Sequence, residues 1–125
     1  MDVIMVSPTT YRIEDAVAVL LPGDFCPSFE PVAGFHADDE IVQYGWIRYD
    51  RPQMPIETTW HILGWRRLFA QTWLTSAVVR FRHGIVQTAS GARYALHRPA
   101  LVPDDLIPGS LDLLERALRT WPVAL

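Results

Sequence analysis

The sequence predicts an α+β fold: a small single domain over residues 1–125, with an antiparallel sheet packed against two or three helices. Three observations carry that reading. Residues 77–97 alternate apolar and charged side chains around two tight-turn signals, which makes a three-stranded meander over about 78–97. Residues 9–21, 57–72 and 110–121 place apolar side chains at helical spacing. Half of the 125 residues are hydrophobic, with five Trp, five Phe and four Tyr, enough for one core without disulfide or metal staples.

In chain order, Asp2 to Val6 is a short apolar run and reads as a first strand. Ser7 before Pro8 resembles a helix N-cap with Pro at the first helical position. Ile13, Ala16, Val17, Leu20 and Leu21 then recur as a helix face would, up to Pro22-Gly23. Residues 22–40 are rich in Pro and Gly without periodicity and form a long loop, parts of which fold back because Phe25, Phe29 and Phe35 are costly to leave in water. Ile41 to Tyr49 is an aromatic-rich strand with Gly45 as a bulge point, ended by a turn at Asp50-Arg51-Pro52 and Pro55.

Residues 57–72 can be read two ways. Ile62, Trp65, Phe69 and Trp73 follow helical spacing, while Thr58 to Ile62 has strand propensity and Gly64 weakens a helix. The spacing favours a helix from about Glu57 to Thr72. After the meander, three prolines keep 98–109 irregular; Ser110 then caps a helix whose inner stripe is Leu111, Leu114, Ala117, Leu118 and Trp121, stopped by Pro122.

The meander is the one segment whose register can be argued. His83-Gly84 suits a two-residue turn with positive φ at both positions, pairing Arg82 with Ile85, Phe81 with Val86 and Val79 with Thr88. A three-residue loop, Ala89-Ser90-Gly91 with Gly91 left-handed, pairs Val86 with Tyr94 and Gln87 with Arg93. That register separates an apolar face (Val79, Phe81, Val86, Tyr94, Leu96) from a polar one (Arg80, Arg82, Gln87, Arg93, His97). A two-residue loop would mix them.

Composition excludes several chemistries. All eleven basic side chains are Arg and Lys is absent, so there is no Walker A phosphate loop and no pyridoxal Schiff base. The single Cys26 rules out Cys-rich zinc sites and an internal disulfide. A net charge of −3 disfavours non-specific nucleic-acid binding. No apolar run reaches membrane-span length and the N-terminus is unlike a signal peptide, so no membrane partner and a cytoplasmic location are expected. No cofactor is indicated.

The strongest candidate site is the arginine face: Arg80, Arg82, Gln87, Arg93 and His97, extended by Arg66 and Arg67 if the central helix lies alongside. Guanidinium forks in a planar array suit carboxylates or phosphates. A solvated sheet face explains the same pattern without function. A second candidate is the acidic loop His36, Asp38, Asp39 and Glu40, where adjacent carboxylates and an imidazole could take a divalent metal or perform acid–base work. Cys26 with a His could form a nucleophilic pair, but no motif supports it.

The expected function is therefore a small non-enzymatic protein-interaction or inhibitor module of bacterial or phage type, with a protein partner on the arginine face. In size, acidity and absence of motifs the chain is similar to small inhibitors of phages and mobile elements, anti-CRISPR proteins among them; the likeness covers no alignable residues. The alternatives are a small enzyme using His36, Asp38, Asp39 or Glu40, and nucleic-acid binding through the arginine face. Homodimerisation stays open.

Overall fold

The computed structural model describes residues 2–51 and 57–124, with 122–124 described as backbone alone. Nine strands form one mixed sheet: β1 (Val3–Ser7), β2 (Thr10–Ile13), β3 (Ala16–Leu21), β4 (Asp39–Arg51), β5 (Glu57–Arg66), β6 (Gln71–Leu74), β7 (Val78–Arg82), β8 (Ile85–Thr88) and β9 (Arg93–Pro99). A 3-10 turn at Pro103–Asp105 leads into the single helix, α1 (Ser110–Ala124). The fold is mostly sheet, and the two or three helices expected from apolar spacing reduce to one among the described residues.

Strands β1 to β6 pair in chain order, each antiparallel to the next. β9 lies parallel to β4, and β8 and β7 follow it antiparallel. β4 is the spine. One edge pairs with β5; the other is shared, with β9 beside Asp39–Tyr44 and β3 beside Trp46–Asp50.

The changeover between β9 and β3 is tightly built. The Gly23 amide donates to the Ala100 carbonyl at 2.8 Å, and the Ala100 amide donates to the Tyr44 carbonyl at 2.8 Å. A Cβ on Gly23 would collide with the Tyr44 carbonyl oxygen and come within 2.6 Å of the Pro99 side chain. Only glycine fits there. At the same place Gln43 takes a left-handed φ of 50° and the β4–β5 register shifts between Val42 and Gly45, which bends the spine. The Gln43 side-chain amide donates to the Asp105 carbonyl at 3.0 Å, tying the bulge to the 3-10 turn.

Because the sheet curls about this spine, β4 and β5 bury both faces. On one side Tyr11, Ile13, Ala18, Leu20, Ile47, Tyr49 and Leu63 pack against Leu114 and Leu118 of α1. On the other Ile41, Trp46, Ile62, Val86, Tyr94 and Leu96 enclose a ring cluster with Phe29, Trp60 and Phe81. Trp46 lies between them, stacked on Phe29 at 6.0 Å and edge-on to Phe81 at 5.3 Å.

Two expected helices are strands. Residues 9–21 form the β2–β3 hairpin about Glu14-Asp15, with Glu14 left-handed at φ 53°. The competing pattern won there: Tyr11 and Ile13, then Ala16, Ala18 and Leu20, bury at period two. Residues 57–72 form β5, a turn and the start of β6, because Thr58, Thr59 and Ile62 are β-branched and the segment is buried on both sides. The helix α1 is where it was expected, but Ser110 is its first residue rather than its cap, with a buried hydroxyl that has no hydrogen-bond partner among the described residues. The helix continues past Pro122, which removes only one amide donor in the final turn. The strand expected over Ile41 to Tyr49 extends to Asp39–Arg51; the turn expected at Pro52 and Pro55 falls outside the described residues.

His61 joins the sheet to the helix. Its Nδ1–H donates to the Thr75 carbonyl at 2.9 Å, Nε2 accepts from the Thr59 hydroxyl at 2.8 Å, and the ring stacks on Trp121 at 4.4 Å. Burial pushes its pKa below the ordinary 6.5, against the smaller opposite pull of the Thr75 and Ser76 backbone.

Two outcomes are expected. Gly23→Ala destabilises the fold by about 2–3 kcal/mol through overpacking at the β3–β4–β9 junction, read as a lower urea midpoint; an unchanged midpoint would contradict the junction. The unfolded chain protonates His61 more readily than the folded one. Stability from this group is therefore complete above pH 6.5 and falls as the pH drops below it. His61→Gln should flatten the part of the pH–stability curve just below that value, and an identical slope in both proteins would refute the assignment.

Candidate functional site

The register of β7 to β9 sets which side chains meet. His83 and Gly84, at φ 52° and 74°, form the expected two-residue turn, and Gly91 at φ 90° closes the expected three-residue loop. Phe81 pairs with Val86, Val86 with Tyr94 and Gln87 with Arg93. Arg80, Arg82, Gln87, Arg93 and His97 accordingly share one side of the sheet.

One detail differs. A bulge between Val78 and Arg80 pairs Val78, not Val79, with Thr88. Val78 is buried at 5% exposure and Val79 stands out at 44%, the reverse of the expected faces. Two adjacent valines offer the sequence no way to tell which is inserted.

The polar side of the meander is partly roofed. The Phe81 amide donates to the Glu30 carbonyl at 3.0 Å, and Glu30 bridges to Arg80 along the free edge of β7. At the other end the Asp38 amide donates to the Arg93 carbonyl at 2.8 Å, and the Arg93 amide returns a bond to the Asp38 carboxylate at 3.0 Å. Residues 30–38 therefore run from β7 across to β9. Beneath this segment Arg93 donates to the Ala33 carbonyl at 2.8 Å and Arg80 reaches the Pro31 carbonyl at 3.4 Å. Val32 and Ile85, both apolar, are buried. The Asp38 carboxylate is held below its usual range by the Arg93 amide first and by His36 at 2.7 Å second.

Asp39 and Glu40 point to opposite sides of β4, and the neighbouring arginines, Arg66 at the end of β5 and Arg67 just after it, do the same. The Asp39 carboxylate accepts from Arg66 Nε at 2.7 Å, from the Leu68 amide at 3.0 Å and from its own neighbour Glu40 at 2.7 Å. Burial pushes its pKa up, but these three donors outweigh that and leave it lowered. The Arg66 guanidinium lies over Phe69 at 4.1 Å, Trp73 at 4.6 Å and Tyr94 at 5.5 Å. On the opposite side Glu40 takes Arg67 at 2.7 Å and His97 at 3.3 Å. Arg66 and Arg67 thus sit at the β5–β6 turn rather than on the expected helix. Arg66 serves the fold, and Arg67 continues the polar face through Glu40.

Of the arginine-face candidates, Arg80 and Arg82 are exposed and make no ion pair among the described residues. Arg82 and His83 line a shallow groove with Cys26, Pro27, Ser28, Phe29, Phe81 and Gly84. No hydrogen bond joins Cys26 to His83. Phe35, which sequence reasoning folded inward, is instead 75% exposed, its ring 5.9 Å from that of His83. None of the five tryptophans is exposed.

The acidic loop does not converge. His36 and Asp38 pair with each other, Asp39 turns into the core, and Glu40 faces Arg67 and His97. Among the described residues no group of three or more His, Cys, Asp or Glu could hold a metal ion. No helix among them is long and apolar enough to cross a membrane. No family profile, curated protein or solved structure matches the chain.

Asp39→Ala strands the Arg66 charge among rings and should cost about 3–4 kcal/mol. Glu40→Ala, at an exposed pair, should cost less than about 1 kcal/mol. Thermal melts of the two variants that move equally would refute the division into a structural and a surface pair.

Proposed function

We propose that the chain is a small protein-binding module that docks an acidic surface of its partner on the polar face of β7–β9. Inhibitor modules of bacterial or phage type are the class it fits. One observation carries this reading. The arginines of β4 and of the end of β5 are matched with carboxylates, Arg48 with Asp50, Arg51 with Glu57, Arg66 with Asp39 and Arg67 with Glu40, whereas the exposed Arg80 and Arg82 have none among the described residues. Two unmatched guanidiniums on one side of β7, with the exposed ring of Phe35 5.9 Å from the neighbouring His83, combine the charge and aromatic character that dominate interface hot spots. Backbone hydrogen bonds from Glu30 and Asp38 hold the covering segment in place, so little ordering entropy opposes docking.

The test compares partner capture by the wild-type chain with that by an Arg80→Glu, Arg82→Glu double variant whose fold is verified by circular dichroism. The variant should lose affinity at least about thirtyfold, equivalent to about 2 kcal/mol. The wild-type association rate should fall as salt is raised. Equal capture by both proteins would remove the site from this face. Steeply salt-dependent binding to oligonucleotides, with no protein captured, would replace the partner class with nucleic acid.

A further inference from the structure

Two hollows of the surface differ in kind from the groove at the end of β7. One, at the β3–β9 changeover, is lined by apolar residues such as Leu20, Leu21 and Leu106 and carries no charged side chain. Another, beside the start of α1, has Asp104 and Asp112 as its charged lining. The groove at β7 instead sets Arg82 and His83 beside Phe29 and Phe81, and no Asp or Glu lines it. Glu30, the nearest acid in sequence, meets β7 through its backbone carbonyl.

The groove is built before anything binds. Phe29 is stacked on Trp46 at 6.0 Å, and Phe81 stands edge-on to the same indole at 5.3 Å. Left-handed φ at His83 and Gly84 fixes the turn beyond them. Arg80 reaches the Pro31 carbonyl, whereas the exposed Arg82 has neither an ion pair nor a side-chain hydrogen bond among the described residues. Phe81 and Arg82 are neighbours on β7 and point to opposite sides of it. A ligand that uses both must present a ring to one side of the strand edge and a carboxylate to the other. Adjacent residues of an extended chain do so, because their side chains alternate in the same way. The edge has room for such a chain: the Glu30 carbonyl takes the Phe81 amide, and no further backbone hydrogen bond from that segment continues to His83.

Resting on the reading of the polar face as a protein-binding site, we infer that this groove receives an extended segment of the partner in which an aromatic residue stands directly beside an Asp or Glu. Charge complementarity selects that occupant. The segment's ring packs against Phe29 and Phe81, and its carboxylate meets the planar fork of Arg82.

The experiment needs no identified partner. Cys26 is an exposed thiol in the groove wall, so its alkylation by iodoacetamide reports occupancy. The probes are short capped peptides centred on Asp-Phe-Asp, Asn-Phe-Asn and Asp-Ala-Asp, with phenylacetate as a free aromatic acid. At about twice its Kd the Asp-Phe-Asp peptide should slow alkylation of the wild-type chain about threefold. Amide shifts should centre on residues 26–29 and 81–84. The other three probes should leave the rate unchanged at the same concentration, and Arg82→Gln should abolish the protection. Absence of protection by Asp-Phe-Asp at millimolar concentration overturns the inference. So does equal protection by Asp-Ala-Asp, by Asn-Phe-Asn or by phenylacetate, the last replacing the segment with a small aromatic acid. Protection that persists in a folded Arg82→Gln chain overturns it as well. Should that variant not fold, the four probes on the wild type decide alone. If the peptides fail while partner capture still depends on Arg80 and Arg82, only this inference falls. Capture independent of both arginines removes the wider reading.

Discussion

The architecture depends on how a single strand edge is divided. β4 is long enough to serve two partners on the same side, but β9 and β3 run in opposite directions and cannot overlap. Their ends must meet opposite one point of β4 without leaving backbone groups unpaired in the interior. The hydrogen bonds from Gly23 to Ala100 and from Ala100 to Tyr44 satisfy that requirement. The bulge at Gln43 supplies the bend that separates the two packed faces. The helix-covered core lies on one side of the bend and the aromatic core on the other. A side chain at position 23 would hold the three segments apart.

Around that spine, charge is sorted by period-two alternation. Adjacent acids on β4 and adjacent arginines at the end of β5 become one inward and one outward pair. The inward pair is dry and ring-covered; the outward pair is solvated. Further from the spine, Arg80 and Arg82 of β7 have no matching acid among the described residues, and the covering segment offers carbonyl oxygens to Arg80 and to Arg93 of β9. Carbonyls satisfy hydrogen bonds without cancelling charge. The polar face thus keeps a positive character within a chain whose net charge is −3.

Legibility in the sequence followed the number of faces an element buries. The meander was readable because its turns demand glycine at specific positions and because polar and apolar residues separate cleanly in one register. The N-terminal hairpin was misread because Ile13, Ala16, Val17, Leu20 and Leu21 satisfy helical spacing, while the alternation actually used runs through alanines that carry little signal. β5 was misread for a different reason: with Trp60 and Ile62 on one core and His61 and Leu63 on the other, it has no polar face to reveal its period. Grouping Arg80, Arg82, Gln87 and Arg93 needed only local register. The cover over them depends on contacts between residues some fifty positions apart, such as Asp38 with Arg93, which composition cannot disclose.

The division of β4 also orders assembly in time. Of strands β1 to β6, the β1–β2, β2–β3, β4–β5 and β5–β6 pairs are local in sequence and close with little loss of loop entropy, while β3 meets β4 across the long segment between Leu21 and Asp39. The parallel pairing of Asp39 with Tyr94 joins segments far apart in the chain and comes late. On a ribosome the first six strands emerge before β9 and α1 exist, with half of the β4 edge open and the Leu114 and Leu118 side chains missing from their core. During that interval the nascent sheet is exposed at both β1 and β4, and its solubility rests on how soon the last thirty-odd residues arrive to close one of them.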